Sequence, residues 1–221
     1  FAARLLAVAA TICGCSAVHA GPATRPAEVG RFDVPRLAGV SIDGDGSDWN
    51  AGGLRVDVLS PSPWGTRNLP GQDARMRLGW DERGLLVLIA ASDGTAAMPD
   101  HLWKGSSVDL FLATDGVARE LVQAILTPAM EKGRAIVRTT MRENRTTQSL
   151  RRRPMSADAA VRKQDDGSFV IEALLPWAQL GLSPRAGDYV NFQLWVTAID
   201  AAGDRTKLIW YPIDGANYDK G

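Results

Sequence analysis

The chain has 221 residues, with 25 lysines and arginines balanced by 25 aspartates and glutamates. No long-range field therefore draws it to nucleic acid, a polyanion or an anionic membrane surface, and none of these is expected as a partner. Hydrophobic residues make up 45% of the chain, and all seven tryptophans lie beyond residue 48, enough to bury the core of one all-β domain.

In chain order, residues 1–20 read as a secretion signal with a truncated n-region. Arg4 precedes an apolar run over 5–12, and small residues lead to Val18-His19-Ala20, an A-x-A-like cleavage site. The run is too short to span a bilayer. Both cysteines, Cys13 and Cys15, fall in this segment, so the mature domain is expected to hold no disulfide, metal thiolate or redox thiol. Ile12-Cys13-Gly14-Cys15 also resembles a bacterial lipobox, in which a lipidated Cys15 would tether the protein to a membrane. The site at Val18-His19-Ala20 competes with it. The expected location is secreted, periplasmic or cell-surface, with membrane contact only through Cys15.

Residues 21–36 carry three prolines and little periodicity, which suits a linker, and the folded unit is expected over 37–221. From there short β-type runs recur between turn residues: 74–80, 85–91, 107–112, 120–126, 135–140, 169–175, 189–200 and 207–211. Asp81-Glu82-Arg83-Gly84 turns the first into the second, whose apolar residues occupy both faces, as in a central strand. A single helical turn is expected over 177–180, after Pro176 and before Gly181. Regular short strands with little helix predict a single antiparallel β-sandwich. The stretch 142–153 is the one basic cluster, without interleaved aromatics, and reads as a solvated loop rather than a phosphate or nucleic-acid site.

Catalytic signatures are sparse. Beyond the signal the only histidine is His101, and there is no Gly-x-Ser-x-Gly or His-Glu-x-x-His. Asp109, Glu120 and Glu172 are the carboxylates from which a hydrolytic pair would come.

A sugar site has better support, because a pyranose offers an apolar face and a rim of hydroxyls, which an aromatic plane and a few polar groups can match. Trp103 sits on a loop just before the run Ser107-Val108-Asp109-Leu110-Phe111-Leu112. If that run pairs with 120–126 around a turn near Gly116, Asp109 lies almost opposite Gln123. Carboxylate and amide would then grip vicinal hydroxyls of a ring stacked on Trp103. The alternative is that both pair with arginines on a solvated face. Asn217 and Tyr218 fall in a loop after the last strand, where a second stacking plane would close the site. Trp49, Trp80, Trp177 and Trp195 are expected in the core or at corners. Such a site would bind in the micromolar to millimolar range.

Asp43-Gly44-Asp45-Gly46-Ser47-Asp48 resembles a calcium loop but has Asp where an EF-hand needs its sixth-position Gly, so a turn of Asx hydrogen bonds competes with an ion there. Asp93, ending a central strand, is a further candidate oxygen ligand should a calcium be held by Asp43 and Asp45.

Ile42-Asp43-Gly44 with Asp48-Trp49, then Ala91-Ser92-Asp93, then Trp103 with Ser107-Val108-Asp109-Leu110-Phe111, then Phe169-Val170-Ile171-Glu172-Ala173 with Pro176-Trp177, together resemble carbohydrate-binding module family 9, in order from about residue 40 to 212. The resemblance implies a jelly-roll-like β-sandwich that works beside plant-polysaccharide hydrolases, with some members holding reducing-end sugars between two aromatics and carrying structural calcium. Trp103 matches the first aromatic, Asp109 stands where Glu is common, and Gln123 falls near an Arg position. Tyr218 with Asn217 would supply the second aromatic, and the family's final strand would lie outside this fragment. The resemblance thus implies a non-catalytic monomer that binds oligo- or polysaccharide and requires no cofactor beyond that calcium. Two rivals stand beside it: an adhesion or structural sandwich with a lost site, and a haem-binding sandwich using His101 with Met76, Met98, Met130, Met141 or Met155.

Overall fold

The computed structural model describes residues 2–6, 31–57, 59–61, 73–92, 106–113, 121–131, 134–145, 148–164, 168–185, 187–199 and 205–210. Within them run β1 (Ala2–Leu6), β2 (Arg31–Pro35), β3 (Leu54–Val56), β4 (Ser60–Pro61), β5 (Asp73–Trp80), β6 (Gly84–Ser92) and β7 (Ser107–Ala113). They are followed by β8 (Leu121–Glu131), β9 (Arg134–Arg145), β10 (Gln148–Pro154), β11 (Asp158–Lys163), β12 (Ser168–Pro176), the helical turn α1 (Trp177–Leu180), β13 (Tyr189–Ile199) and β14 (Arg205–Ile209).

These strands form an all-β sandwich. One sheet has five strands in the order β11-β12-β6-β5-β3; the other has nine, with β10-β9-β8-β7-β13-β1-β2 in a row, β14 paired to β13 and β4 to β14. All pairings within named strands are antiparallel except that of β1 with β13. Alternation decides what each face receives. Met76 and Leu78 on β5, Val87 and Ile89 on β6, and Ile171 and Ala173 on β12 meet Val108 and Leu110 on β7, Ala124 on β8 and Leu194 on β13 in one buried core. Met76 and Met155 belong to that core, which places both among packing side chains rather than at an axial position of a haem.

The segment 37–52 folds over the outer face of the five-stranded sheet, where Val40 and Trp49 pack on Leu86 and Leu174. Gly46, at φ +67°, starts a 3-10 turn over Ser47–Trp49 that delivers the indole to this cluster. A side chain at residue 46 would strain the backbone and approach Leu88 to 2.7 Å.

Several strands go beyond the sequence expectation. Ala2–Leu6, within the expected secretion signal, is a strand paired with β2 and β13. Arg31–Pro35, within the expected linker, is a strand whose Val34 is buried, and Val34's carbonyl accepts the Trp80 indole N–H at 3.0 Å. The ordered body therefore starts ahead of Leu37. In the basic stretch 142–153, expected as a loop, residues 142–145 belong to β9 and 148–153 to β10, an antiparallel pair with Arg142 in register with both Gln123 and Arg152. Charged residues at a sheet edge discourage pairing with other chains, so an edge hairpin has the composition of a solvated loop.

Candidate functional site

On β7, Val108, Leu110 and Leu112 enter the inter-sheet core. The intervening Ser107, Asp109 and Phe111 therefore point to the outer face of the nine-stranded sheet. The observed pairing sets Asp109 against Ile125 and Phe111 against Gln123. This shifts the hairpin two residues from the register expected around Gly116, so Gln123 is the diagonal neighbour of Asp109 rather than its opposite. A shift of two keeps the face, and a glutamine arm spans a diagonal. Gln123 Nε2 accordingly donates to Asp109 Oδ1 at 2.7 Å, and Ser107 Oγ donates to Oδ2 at 3.1 Å. The sequence-derived pair is thus brought together.

Asp109 is only 8% exposed. A carboxylate removed from water is costly unless hydrogen-bonded, and these two donors contribute to that compensation. Since a carboxylate only accepts, it also fixes the half-buried amide of Gln123 with its NH2 inward and Oε1 on the other side.

The other in-register neighbour of Asp109 is Trp195 on β13. Trp195 is buried as expected, but on the outer sheet face, where its ring lies 4.4 Å from Phe111 and beneath Lys207 Nζ at 4.1 Å. The same face carries buried Gln193, Thr197 and Thr127. Gln193 Oε1 accepts the Leu194 N–H at 2.9 Å, while Thr127 Oγ1 has no hydrogen-bond partner among the described residues. Gln193, Thr197 and Thr127 were not singled out from sequence, because a polar residue alternating with apolar ones reads as solvated until the register shows its neighbours. Trp103, Asn217, Tyr218 and Asp93 lie outside the described residues, as do His101 and Glu120.

Three solved structures share this architecture. A carbohydrate-binding module of family 9 from Caldicellulosiruptor kristjanssonii, in complex with cellotriose, is 16% identical at a TM-score of 0.53, covering 82% of this chain and 84% of that one. A candidate carbohydrate-binding protein from Bacteroides uniformis ATCC 8492 is 11% identical at a TM-score of 0.54, covering 81% and 88%. The Caldicellulosiruptor kristjanssonii family 9 module in complex with glucose is 17% identical at 0.52, covering 82% and 86%. The chain has the fold of family 9 carbohydrate-binding modules. No protein-family model and no curated protein matches its sequence.

Within this family 9 fold, Glu172 has a different role from that of a hydrolytic carboxylate. It is fully buried on β12, where Oε1 accepts the Trp49 indole N–H at 2.6 Å and Oε2 accepts the amides of Asp43 and Gly44 at 3.0 and 2.9 Å. Glu172 and Asp109 thus sit on different sheets, each on the face turned away from the other. Sheets pack about 10 Å apart, so the two cannot approach the roughly 5–9.5 Å separation of a glycosidase pair.

The same loop carries Asp43 and Asp45 of the expected calcium set. Asp43 Oδ1 accepts the Asp45 amide at 2.8 Å, an Asx turn. Asp45 Oδ2 pairs with Arg162 at 3.0 Å, and Asp48 Oδ2 accepts the Ser41 amide at 2.6 Å. Beside them Arg77 donates to the carbonyls of Trp49, Asn50 and Gly52 and covers the Trp49 ring, and burial, then Arg55, lowers its pKa. No three His, Cys, Asp or Glu side chains among the described residues are grouped to hold a metal ion. Of the expected calcium set, Asp43 Oδ1 is thus engaged by the Asp45 amide and Asp45 Oδ2 by Arg162, Asp93 lies outside the described residues, and in the same loop Asp48 Oδ1 is buried with no hydrogen-bond partner among the described residues.

A shallow cleft of about 740 Å³ lies beside the β5–β6 turn, between Trp80 and Trp177 and rimmed by Arg36, Asp81, Glu82 and Arg83. Its polar groups hold one another. Arg83 pairs with Asp81, which holds the Arg83 pKa up, Arg36 pairs with Glu82, and the Trp177 indole donates to the Asp81 carbonyl at 3.0 Å. Trp177 is therefore a corner joint, as expected from sequence.

Proposed function

We propose that this chain is a non-catalytic carbohydrate-binding module that takes an oligo- or polysaccharide on the outer face of the nine-stranded sheet. The observation that carries the reading is the Asp109–Gln123 hydrogen bond, set beside Ser107 and Trp195 on a sheet face rich in buried polar side chains. The sandwich shared with a family 9 module in complex with cellotriose supports it. In this reading Gln123 meets sugar hydroxyls, Asp109 orients its amide, Trp103 supplies the first stacking plane and Tyr218 with Asn217 the second.

Each stacked ring face buries apolar area worth about 1–2 kcal/mol. After the costs of association, affinity falls in the micromolar to millimolar range, suited to holding a protein on a polymer rather than sequestering a small sugar. Residues 1–20 would export the protein, or Cys15 would anchor it, so that it assists polysaccharide catabolism outside the cell as a monomer.

Titration of xylo- and cello-oligosaccharides against tryptophan fluorescence tests this, and no response at millimolar sugar from a folded protein would refute it. A second reading, a structural or adhesion sandwich without a sugar site, draws on the same bond: Asp109 is buried and already held by Gln123 and Ser107. Gln123→Ala separates the two. Lost sugar affinity with unchanged melting supports binding, and lost stability alone supports packing.

A further inference from the structure

Independently of the outer-face reading, we propose that the cleft beside the β5–β6 turn is a second saccharide site, taking one or two units of a neutral sugar. Its walls are held by the backbone. Asp81 Oδ1 accepts the amides of Arg83 and Gly84 at 2.7 and 3.2 Å, and the Asp81 amide donates to the Gly84 carbonyl at 3.0 Å, which closes the turn. A side chain at residue 84 would collide with the Leu175 carbonyl, so the turn sits tight against β12. The Trp177 amide donates to the Arg83 carbonyl at 3.1 Å and its indole N–H to the Asp81 carbonyl at 3.0 Å, pinning the head of α1 to the turn at two points. After α1, Gly181 turns the chain at φ +66° and the Leu182 amide donates to the Trp177 carbonyl at 3.0 Å, which sets Leu182, Ser183 and Pro184 along the cleft.

The Trp80 indole N–H is likewise given to a backbone carbonyl, that of Val34. Both indoles can therefore offer a ligand carbon surface but no donor, which suits the apolar face of a pyranose. Around them the side chains of Arg36, Glu82 and Arg83 are each more than half exposed, and Ser183 is exposed; together they supply donors, acceptors and a hydroxyl. Exposed ion pairs contribute little, so a guanidinium or carboxylate can turn from its partner to a sugar hydroxyl at small cost. Charge decides the ligand class. Arg36 with Glu82 and Arg83 with Asp81 sum to zero, so an anion or a cation gains no net attraction here, while a neutral ring of hydroxyls uses both kinds of group. The volume of about 740 Å³ lies within the roughly 300–1,000 Å³ of small-ligand sites. Because the walls are already ordered, binding need not order them, and one or two ring contacts then give a Kd of about 1–10 mM.

The test is a nitrogen–proton correlation NMR titration of the full chain with xylobiose and with cellobiose, read at the Trp177 indole N–H. That resonance is expected to shift and saturate at about 1–10 mM with at least one of the two sugars, in the native chain and in Gln123→Ala alike. Glu82→Ala and Arg36→Ala, which alter exposed side chains, should each weaken this response by about threefold to tenfold with an unchanged thermal melt. Acetate and tetramethylammonium at the same concentrations should leave the resonance unmoved. An unmoved Trp177 signal in the folded protein at about 50 mM of each disaccharide overturns the inference, whether or not sugar binds at the outer face. A shift that acetate or tetramethylammonium reproduces, or that neither variant weakens, also overturns it. A response lost in Gln123→Ala means that Trp177 reports on the outer face, and overturns it too.

Discussion

Replacing Asp109 by Asn changes one oxygen to NH2 without changing shape, and so isolates what the negative charge contributes. In the native arrangement an acceptor-only carboxylate forces Gln123 to turn its NH2 inward. The asparagine introduced by Asp109→Asn can present either group, so Gln123 is free to flip, and the Oε1 offered to a sugar is no longer fixed. Losing one preferred amide orientation and exchanging a charged for a neutral acceptor weakens sugar binding by about 1 kcal/mol, roughly fivefold in Kd. Stability should change by less than about 1 kcal/mol, since the Ser107 hydroxyl can rotate to accept from the new NH2. Asp109→Ala, by contrast, strands the inward donors and opens a cavity, for a loss of about 2–4 kcal/mol. The deciding assay is a double-mutant cycle read by calorimetric titration: if Asp109 acts through Gln123, the pair Asp109→Asn with Gln123→Ala loses no more affinity than Gln123→Ala alone. Additive losses, or wild-type affinity in both single variants, would refute the reasoning.

Glu172→Ala removes the acceptor of three N–H groups, two of them in buried hydrogen bonds; unfolding in urea should show a loss of about 3–5 kcal/mol with sugar affinity retained in the folded fraction. A change below about 1 kcal/mol would show that the 37–52 segment is not held by this residue. Gly46→Ala, forced against Leu88 at a positive φ, should cost about 1–3 kcal/mol in the same assay. Addition of EDTA should leave the melting temperature unmoved if the bonds of Asp43 Oδ1, Asp45 Oδ2 and Asp48 Oδ2 to protein donors suffice to hold the loop; a drop of several degrees would mean that calcium holds this loop. Trp103→Ala should lower oligosaccharide affinity about tenfold with an unchanged thermal melt, since one ring face of stacking is removed.

The core strands were legible because their side chains alternate around continuous apolar faces: the runs at 74–80, 85–91 and 169–175 lie inside β5, β6 and β12. The single helical turn was legible from Pro176 and Gly181, the latter at φ +66°. What escaped were edge elements. β11 buries little, and β10, with three arginines and one leucine, has no apolar alternation, so neither shows the pattern by which a strand is read from sequence. The Asp109–Gln123 contact was reached from sequence through a register wrong by two, and it survived because an even shift preserves the face. Trp195 was assigned by pattern to the core. Its burial agrees, but which sheet face buries it depends on the parity of β13 against β7, which no local pattern reveals.

Two of the buried carboxylates among the described residues, Glu172 and Asp109, are distinguished by the donors they meet. Glu172 accepts two backbone amides and one indole, all from residues 43–49. Backbone donors cannot turn away without unfolding the loop, so this carboxylate seals one outer face and has no freedom to serve a ligand. Asp109 accepts from an amide and a hydroxyl on side chains. Both donors can rotate, and Gln123, only half-buried, can exchange one partner for another at little cost in backbone order. Burial alone therefore does not separate scaffold from site here. A carboxylate whose donors rotate can hold a polar group ready for a ligand, whereas one whose donors are the main chain has already spent that capacity on the fold.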